Sequence, residues 1–317
     1  MAASSGFALA PVAVTGASGF VGRALVQHLH ALGYPVTAIA RHAWPAPGGV
    51  RMIVIESYDD AAAQQGAFQG ADCVLHLAAL AHRAGSPAEF DASVRAARGV
   101  LAAAQRCGVR RLVLLSSIGV NGHRTEGHPF TEADAPRPVE AYAHSKLQAE
   151  QAVIAGTAGT AMEHVIVRPP LVYGPDAPGN FGRLVRLVRR GWPLPFGAIE
   201  NARSFIALEN LVDLLALCIG HPGAANQLLL AADSEDLSTP ELVRCIAAGL
   251  SRPARLLPLP AAWLRAAAST LGRERLADSL CASLQVDATK ARRLLEWRPR
   301  VPAAEGVRRA AQASRPT

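Results

Sequence analysis

The chain has 317 residues, about half of them hydrophobic, and carries 32 lysines and arginines against 25 acidic residues, for a formal net charge of +7. Such a composition can bury a sizeable core and excludes a disordered chain. The basic residues are almost all arginines, spread through predicted helices and loops without a nucleic-acid-binding motif, so an anionic small ligand is expected and a nucleic-acid partner is not.

The five cysteines (Cys73, Cys107, Cys218, Cys245 and Cys281) are odd in number and mostly set in apolar stretches. They read as reduced thiols, which points to the cytoplasm. Met1 to Ala10 has no basic n-region, so no cleaved signal is expected. The longest apolar stretch after it, Leu256–Leu271, is broken by Pro258, Pro260 and Arg265; it reads as a packing helix, and no transmembrane segment is expected. The histidines lack paired ligand spacing, so no metal site is expected.

Strand and helix signals alternate from Pro11 onward. Strands are predicted near Val12–Thr15, Val36–Ala40, Arg51–Ile55, Cys73–Leu77, Arg111–Leu115 and Val165–Arg168, with helices at about Val21–Leu32, Pro87–Cys107 and Glu140–Ala155. This is an α/β pattern: a Rossmann-type doubly wound parallel sheet with a smaller C-terminal substrate-binding lobe. Residues 1–175 are expected to form the main sheet domain and 176–317 mainly a smaller second domain, with about 204–232 returning to the sheet. Prolines and glycines cluster at Pro169–Gly182 and Gly191–Gly197, where loops should gather around a ligand. Ser238-Thr239-Pro240-Glu241 has capping-box spacing, and the end after Arg308 reads as frayed.

The first predicted strand runs into Thr15-Gly16-Ala17-Ser18-Gly19-Phe20-Val21-Gly22, where a helix opens. Glycines there let the backbone approach a pyrophosphate, and the helix N-terminus supplies donors and partial positive charge. Cofactor choice is made at the end of the second strand, where a carboxylate would accept from the adenosine ribose. The chain has Ala40 and then Arg41 instead. An arginine can pair with a ribose 2′-phosphate, which favours NADP(H) over NAD(H); the other reading of Arg41 is a solvated surface residue.

Tyr142 and Lys146, four residues apart, share one face of a predicted helix. A nearby ammonium favours phenolate, so Lys146 is expected to lower the Tyr142 pKa from its ordinary value of about 10. Ser117, just past the strand Arg111–Leu115, is expected at the carboxyl edge of the sheet, where its hydroxyl can hold the substrate oxygen that Tyr142 protonates. Alone, each element suits an ordinary turn or helix surface; taken with the glycine turn they describe a nicotinamide-dependent site.

The chain resembles the extended short-chain dehydrogenase/reductases, the nucleotide-sugar epimerase/dehydratase superfamily. The matching segments are Thr15–Gly22, His76–Leu80, Leu114–Gly122, Tyr142–Lys146, Arg168–Pro175, Leu194–Gly197 and Arg203–Asp213. The resemblance implies that Ser117, Tyr142 and Lys146 are the catalytic serine, tyrosine and lysine. It implies that Gly16, Ser18, Gly19, Phe20, Val21, Gly22, Leu77, Ala78, Ala79 and Arg168 contact the cofactor. Asn180 and Arg203 then lie at the diphosphate side of a nucleotide sugar, and Leu194 lies near its base. A homodimer built from the helices near Pro87–Cys107 and Glu140–Ala155 is implied as well. In two places the chain departs from the pattern: the carboxylate near adenine is replaced within Glu56-Ser57-Tyr58, and the ribose carboxylate is absent at Ala40.

Sugar 4,6-dehydratases of this superfamily carry an acidic pair after the catalytic hydroxyl residue, whereas Ile118-Gly119 follow Ser117, so elimination is not expected. Two reactions remain. One is NADPH-dependent reduction of the C4 ketone of a UDP-4-keto-6-deoxy-N-acetylhexosamine, favoured by Arg41 and by a longer resemblance to the reductases of surface-polysaccharide pathways. The other is NAD-dependent 4-epimerisation of a UDP-hexose or UDP-N-acetylhexosamine. A non-catalytic NADP-binding regulator is a remote third reading, because such proteins lose the tyrosine or lysine that this chain keeps. UDP and lipid-linked diphosphate carriers both remain open.

Overall fold

The computed structural model describes residues 9–58, 60–78, 87–270, 272 and 274–315. In chain order its elements are β1 (Val12–Thr15), α1 (Phe20–Ala31), β2 (Val36–Ala40), β3 (Arg51–Val54), α2 (Ala61–Phe68), β4 (Cys73–His76), α3 (Pro87–Arg106), β5 (Arg111–Leu115), α4 (Ala141–Thr157), β6 (Glu163–Arg168), β7 (Leu171–Tyr173), α5 (Asn180–Arg189), β8 (Phe205–Ala207), α6 (Leu208–Gly220), β9 (Gln227–Leu230), α7 (Thr239–Gly249), α8 (Ala261–Thr270), α9 (Glu274–Cys281), α10 (Thr289–Leu294) and α11 (Ala303–Ala313). Seven strands form a parallel sheet in the order β3-β2-β1-β4-β5-β6-β9, and β7 and β8 form a parallel pair. The strand order reverses between β1 and β4, the switch point at which open α/β sheets bind ligands beyond their carboxyl ends. Thr15 is level with Ile39 on one side and with His76 on the other, so β1, β2 and β4 end along one edge.

The chain divides into two compact units. The first is Met1–Leu115, Gln148–Ile166 and Leu215–Gln227; the second is Ser116–Leu147, Val167–Leu214 and Leu228–Thr317. In the first, β1 and β4 are buried over their whole length, the continuous apolar burial of interior parallel strands. Arg111 opens β5 and is nevertheless only 1% exposed. Its Nε donates to Glu163 at 2.7 Å, and its Nη1 donates to the carbonyls of Cys218 at 2.7 Å and His221 at 3.0 Å, around the C-terminal end of α6. There the guanidinium also meets the negative end of the helix dipole. Arg110 joins Asp72 (2.8 Å) and the same Glu163 (3.0 Å), so one carboxylate serves two arginines at the amino ends of β5 and β6.

In the second unit Tyr173 Oη donates to Asp233 at 2.7 Å, and the Ala207 N–H and Asn210 Nδ2 donate to the same carboxylate, which ties β7, β8 and α6 together. Ser238 and Glu241 form the expected capping box at the start of α7. Two expectations are corrected here. The end after Arg308 does not fray: α11 continues to Ala313, with Ala310 and Ala311 buried, and Ala311 approaches Gly249 of α7. Leu256–Leu271 contains α8, but no residue of that helix is buried and Trp263 is 69% exposed, because its alanines present too little surface to draw it into a core. No helix among the described residues is long and apolar enough to cross a membrane.

Glu163→Ala strands the buried Arg111 guanidinium with carbonyl partners alone. The expected cost is on the order of 3 kcal/mol, read as a lower urea midpoint, and an unchanged midpoint would show that the pair contributes nothing net.

Candidate active site

In the first unit the glycine turn follows β1 directly. Gly16 has φ +72°, and a Cβ built on it would stand 2.7 Å from the Ala78 amide nitrogen. A Cβ on Gly22 would lie 2.1 Å from the Gly16 carbonyl oxygen. Any side chain at either position would fill the space where backbone packs on backbone. Gly19 is the N-cap of α1, no side chain caps that helix, and no acidic residue occupies its first turn. The amides of Phe20, Val21 and Gly22 at this N-terminus therefore suit a pyrophosphate, and the turn fits the dinucleotide expected from the sequence.

Ser18 offers its carbonyl to Arg23 Nε at 2.8 Å, and the Arg23 guanidinium lies 5.4 Å from the centroid of the Trp44 ring. Leu77 donates its N–H to Thr15, and Ala78 lies against Gly16. Ala79 falls outside the described residues. Arg41 directly follows β2 and is exposed. Tyr58, within the segment that departs from the family pattern, reaches the turn with its hydroxyl, which accepts the Gly16 N–H at 2.9 Å. Nothing in the sequence pattern signals that contact, because the two residues are 42 positions apart.

The proposed chemical groups lie in the second unit. Ser116 and Ile118 donate their N–H groups to the carbonyls of Val167 and Pro169 at 2.7 and 2.9 Å, which carries the chain past β5 in an ordered path. Ser117, held between them and half-buried, caps a short 3-10 turn at Ile118–Val120 by accepting the Gly119 N–H at 3.1 Å. A Cβ on Gly119 would be 3.4 Å from both the Ala143 methyl and Ser117 Oγ. This turn therefore packs on the first turn of α4, which brings Ser117 to the neighbourhood of Tyr142. Lys146 is buried on the same helix, with its ammonium 6.0 Å from the centroid of the Tyr142 ring.

Asn121, not singled out by sequence, is buried, and its Oδ1 accepts from Arg168 Nη1 at 2.8 Å while its Nδ2 donates to Thr131. Arg168 is thus a brace beneath the serine turn, a role separate from its expected cofactor contact. Ile118, where a dehydratase would carry acid, packs into an apolar cluster with Leu230 and Leu284.

The remaining expected residues lie on separate elements. Asn180 is exposed at the first position of α5. Leu194 is buried and paired with Arg255 and Leu257 through its backbone. Arg203 Nη1 donates to the Ala282 carbonyl at 2.8 Å. Burial pulls the Arg203 guanidinium down to about 10, and among the described residues no carboxylate pairs with it. Ala282 also borders a polar cleft of about 480 Å³, together with Arg124, Glu200, Arg265 and Asp278.

The description "NAD dependent epimerase/dehydratase family" matches residues 12–229. The chain belongs to that family. It is 37% identical to a UDP-glucose 4-epimerase of Vibrio cholerae over 95% of this chain and 94% of the relative. It is 28% identical to an N-acetyl-alpha-D-glucosaminyl-diphospho-ditrans,octacis-undecaprenol 4-epimerase of Escherichia coli O157:H7, over 88% of each. Among solved structures, MoeE5 in complex with UDP-glucuronic acid and NAD superposes with a TM-score of 0.77 at 25% identity, covering 96% of this chain and 98% of that one. This family member is an NAD(P)-binding protein of the nucleotide-sugar epimerase and oxidoreductase type.

One electrostatic expectation is corrected. Burial pushes the Tyr142 hydroxyl up to about 12, opposite to the direction predicted from Lys146. Desolvation penalises phenolate, and an ammonium 6.0 Å from the ring centre does not reverse it. Phenolate is therefore disfavoured at Tyr142 of this epimerase/dehydratase-family protein. In the cofactor-free protein, ultraviolet difference titration of wild type against Tyr142→Phe should show no Tyr142 phenolate step near the ordinary value of about pH 10. A step there would place the hydroxyl in water.

Proposed function

We propose that the protein performs oxidation–reduction at C4 of a UDP-linked hexose or N-acetylhexosamine, with 4-epimerisation as the net reaction. The observation that carries this reading is the packing of the Ser117 turn on the first turn of α4 beside Tyr142 and Lys146. The 37% identity to a UDP-glucose 4-epimerase over nearly the whole chain supports the same substrate class.

The glycine turn and the N-terminus of α1 would hold the dinucleotide; when bound, its nicotinamide takes up and returns a hydride at the carbinol carbon. Tyr142 moves the proton of the C4 oxygen, Ser117 orients that oxygen, and Lys146 supplies positive charge to the phenol during the exchange. Arg203 offers its unpaired charge to the diphosphate, Asn180 a polar group on the same side, and Leu194–Gly197 a wall near the base. In this reading residues 1–175 serve mainly the dinucleotide and 176–317 mainly the sugar, with about 204–232 returning to the sheet. The active form is a cytoplasmic homodimer built on α3 and α4.

A second reading, NADPH-dependent reduction of a 4-keto-6-deoxy sugar, is favoured by one feature: the end of β2 carries exposed Arg41 after Ala40, with no carboxylate for an NAD ribose. Incubation with UDP-glucose or UDP-GlcNAc, followed by NMR, should yield the C4 epimer without net cofactor consumption. Stoichiometric loss of NADPH with UDP-4-keto-6-deoxy-GlcNAc, and no epimer, would replace the first reading with the second. Under either, Tyr142→Phe should lower kcat by about 10²–10⁴-fold, as expected for loss of an acid/base group, while cofactor affinity stays close to wild type.

A further inference from the structure

Tyr58 follows β3 in the segment where the chain departs from the family pattern near adenine. Its hydroxyl accepts the Gly16 N–H at 2.9 Å and donates to the Ile39 carbonyl at 3.1 Å. The same carbonyl accepts the Ala17 N–H at 3.1 Å. The turn after β1, the end of β2 and the segment after β3 are thereby joined in one small hydrogen-bond cluster.

The phenol is held from several directions. Its ring meets His76 edge-on, with centroids 6.4 Å apart, and His76 Nδ1 is 2.7 Å from Thr15 Oγ1. Its own carbonyl accepts from Gln64 Nε2 of α2, a side chain fully removed from water. Gly16 is the residue whose left-handed φ opens the turn, and Arg41 stands two positions beyond Ile39. The Arg41 charge acts on the Tyr58 hydroxyl, although burial outweighs it and leaves that hydroxyl raised.

We infer that Tyr58 is a positioning residue for the adenosine end of the dinucleotide, setting the spacing between the glycine turn and the end of β2 that carries Arg41. The assignment rests on the cofactor-binding reading of the glycine turn. A pyrophosphate on the α1 amides and a ribose at the end of β2 belong to one covalently linked ADP moiety of limited span, so the two protein segments must stay within that span to engage both. One is a turn, and the other is the last residues of β2, beyond which the chain leaves the strand at Arg41. The hydroxyl adds a side-chain cross-link beside the Ala17–Ile39 backbone bond, and loss of it leaves the Gly16 N–H without its acceptor.

The test uses the full chain and calorimetric titration of wild type and Tyr58→Phe with NADPH, NADH, 2′,5′-ADP, ADP and, as a substrate-side control, UDP. Tyr58→Phe keeps the ring and its packing. It should weaken the dinucleotides and the adenosine fragments roughly tenfold, about one hydrogen bond's worth, and leave UDP affinity and kcat at saturating cofactor unchanged. Amide exchange of the peptide spanning Val12–Gly22 should quicken in the same variant, a readout independent of ligand.

Equal affinity for the adenosine fragments would overturn the assignment. So would tighter binding, which would make the ring an obstruction, or a matching loss of UDP affinity, which would make its role generally structural. Wild-type protein that binds none of the adenine ligands would remove the cofactor reading itself, and the Tyr58 assignment with it.

Discussion

Between Gly16 and Gly22 the backbone turns so tightly that the carbonyl oxygen of one lies 2.1 Å from where the other would carry a Cβ. This steric constraint decides much of the first unit. It lets α1 start directly above β1 with its N-terminus uncapped by any side chain, so amide donors and the positive helix end face a place that an anion can enter. The sheet supports the arrangement because Thr15, Ile39 and His76 end level with one another. Charges buried elsewhere in that unit, such as Arg111 with Glu163, hold the amino ends of the strands and leave the carboxyl ends for ligands.

In the second unit, the proposed acid/base tyrosine sits in surroundings that disfavour its anion. Burial raises the Tyr142 hydroxyl, and the buried Lys146 lies on the same helix. A neutral phenol suits the direction in which a carbonyl is protonated. In the proposed reaction the reverse direction would need positive charge nearby, and Lys146 lies on the same helix to supply it. Ser117 is prepared by means that have nothing to do with charge: two backbone bonds to the Val167–Pro169 segment, a cap on its own 3-10 turn, and the Asn121–Arg168 pair below.

Most of the strands, the α1 turn and the Tyr142–Lys146 spacing were legible because they depend on neighbours within a few positions. Apolar runs mark interior strands, glycines mark a turn that tolerates no Cβ, and a four-residue step shares a helix face. The element α2 escaped notice because its alanines, glutamines and glycine carry little amphipathic pattern. Arg111 looked like the polar start of a strand, yet it is buried, since its partners come from Glu163 and from carbonyls more than a hundred positions away. The shift of Tyr142 was read in the wrong direction because a sequence shows the helical neighbour but not the desolvation that the folded surroundings impose on the hydroxyl.

By itself the sequence determined the family and the α/β architecture, because those are written in local periodicity and short motifs. Tertiary structure alone decided that the Tyr58 hydroxyl meets Gly16, that Asn121 pairs with Arg168, and that burial lowers the Arg203 guanidinium and raises the Tyr142 hydroxyl. Each of these depends on which distant groups share a small volume and how far that volume excludes water, and neither quantity is encoded in the spacing of residues along the chain.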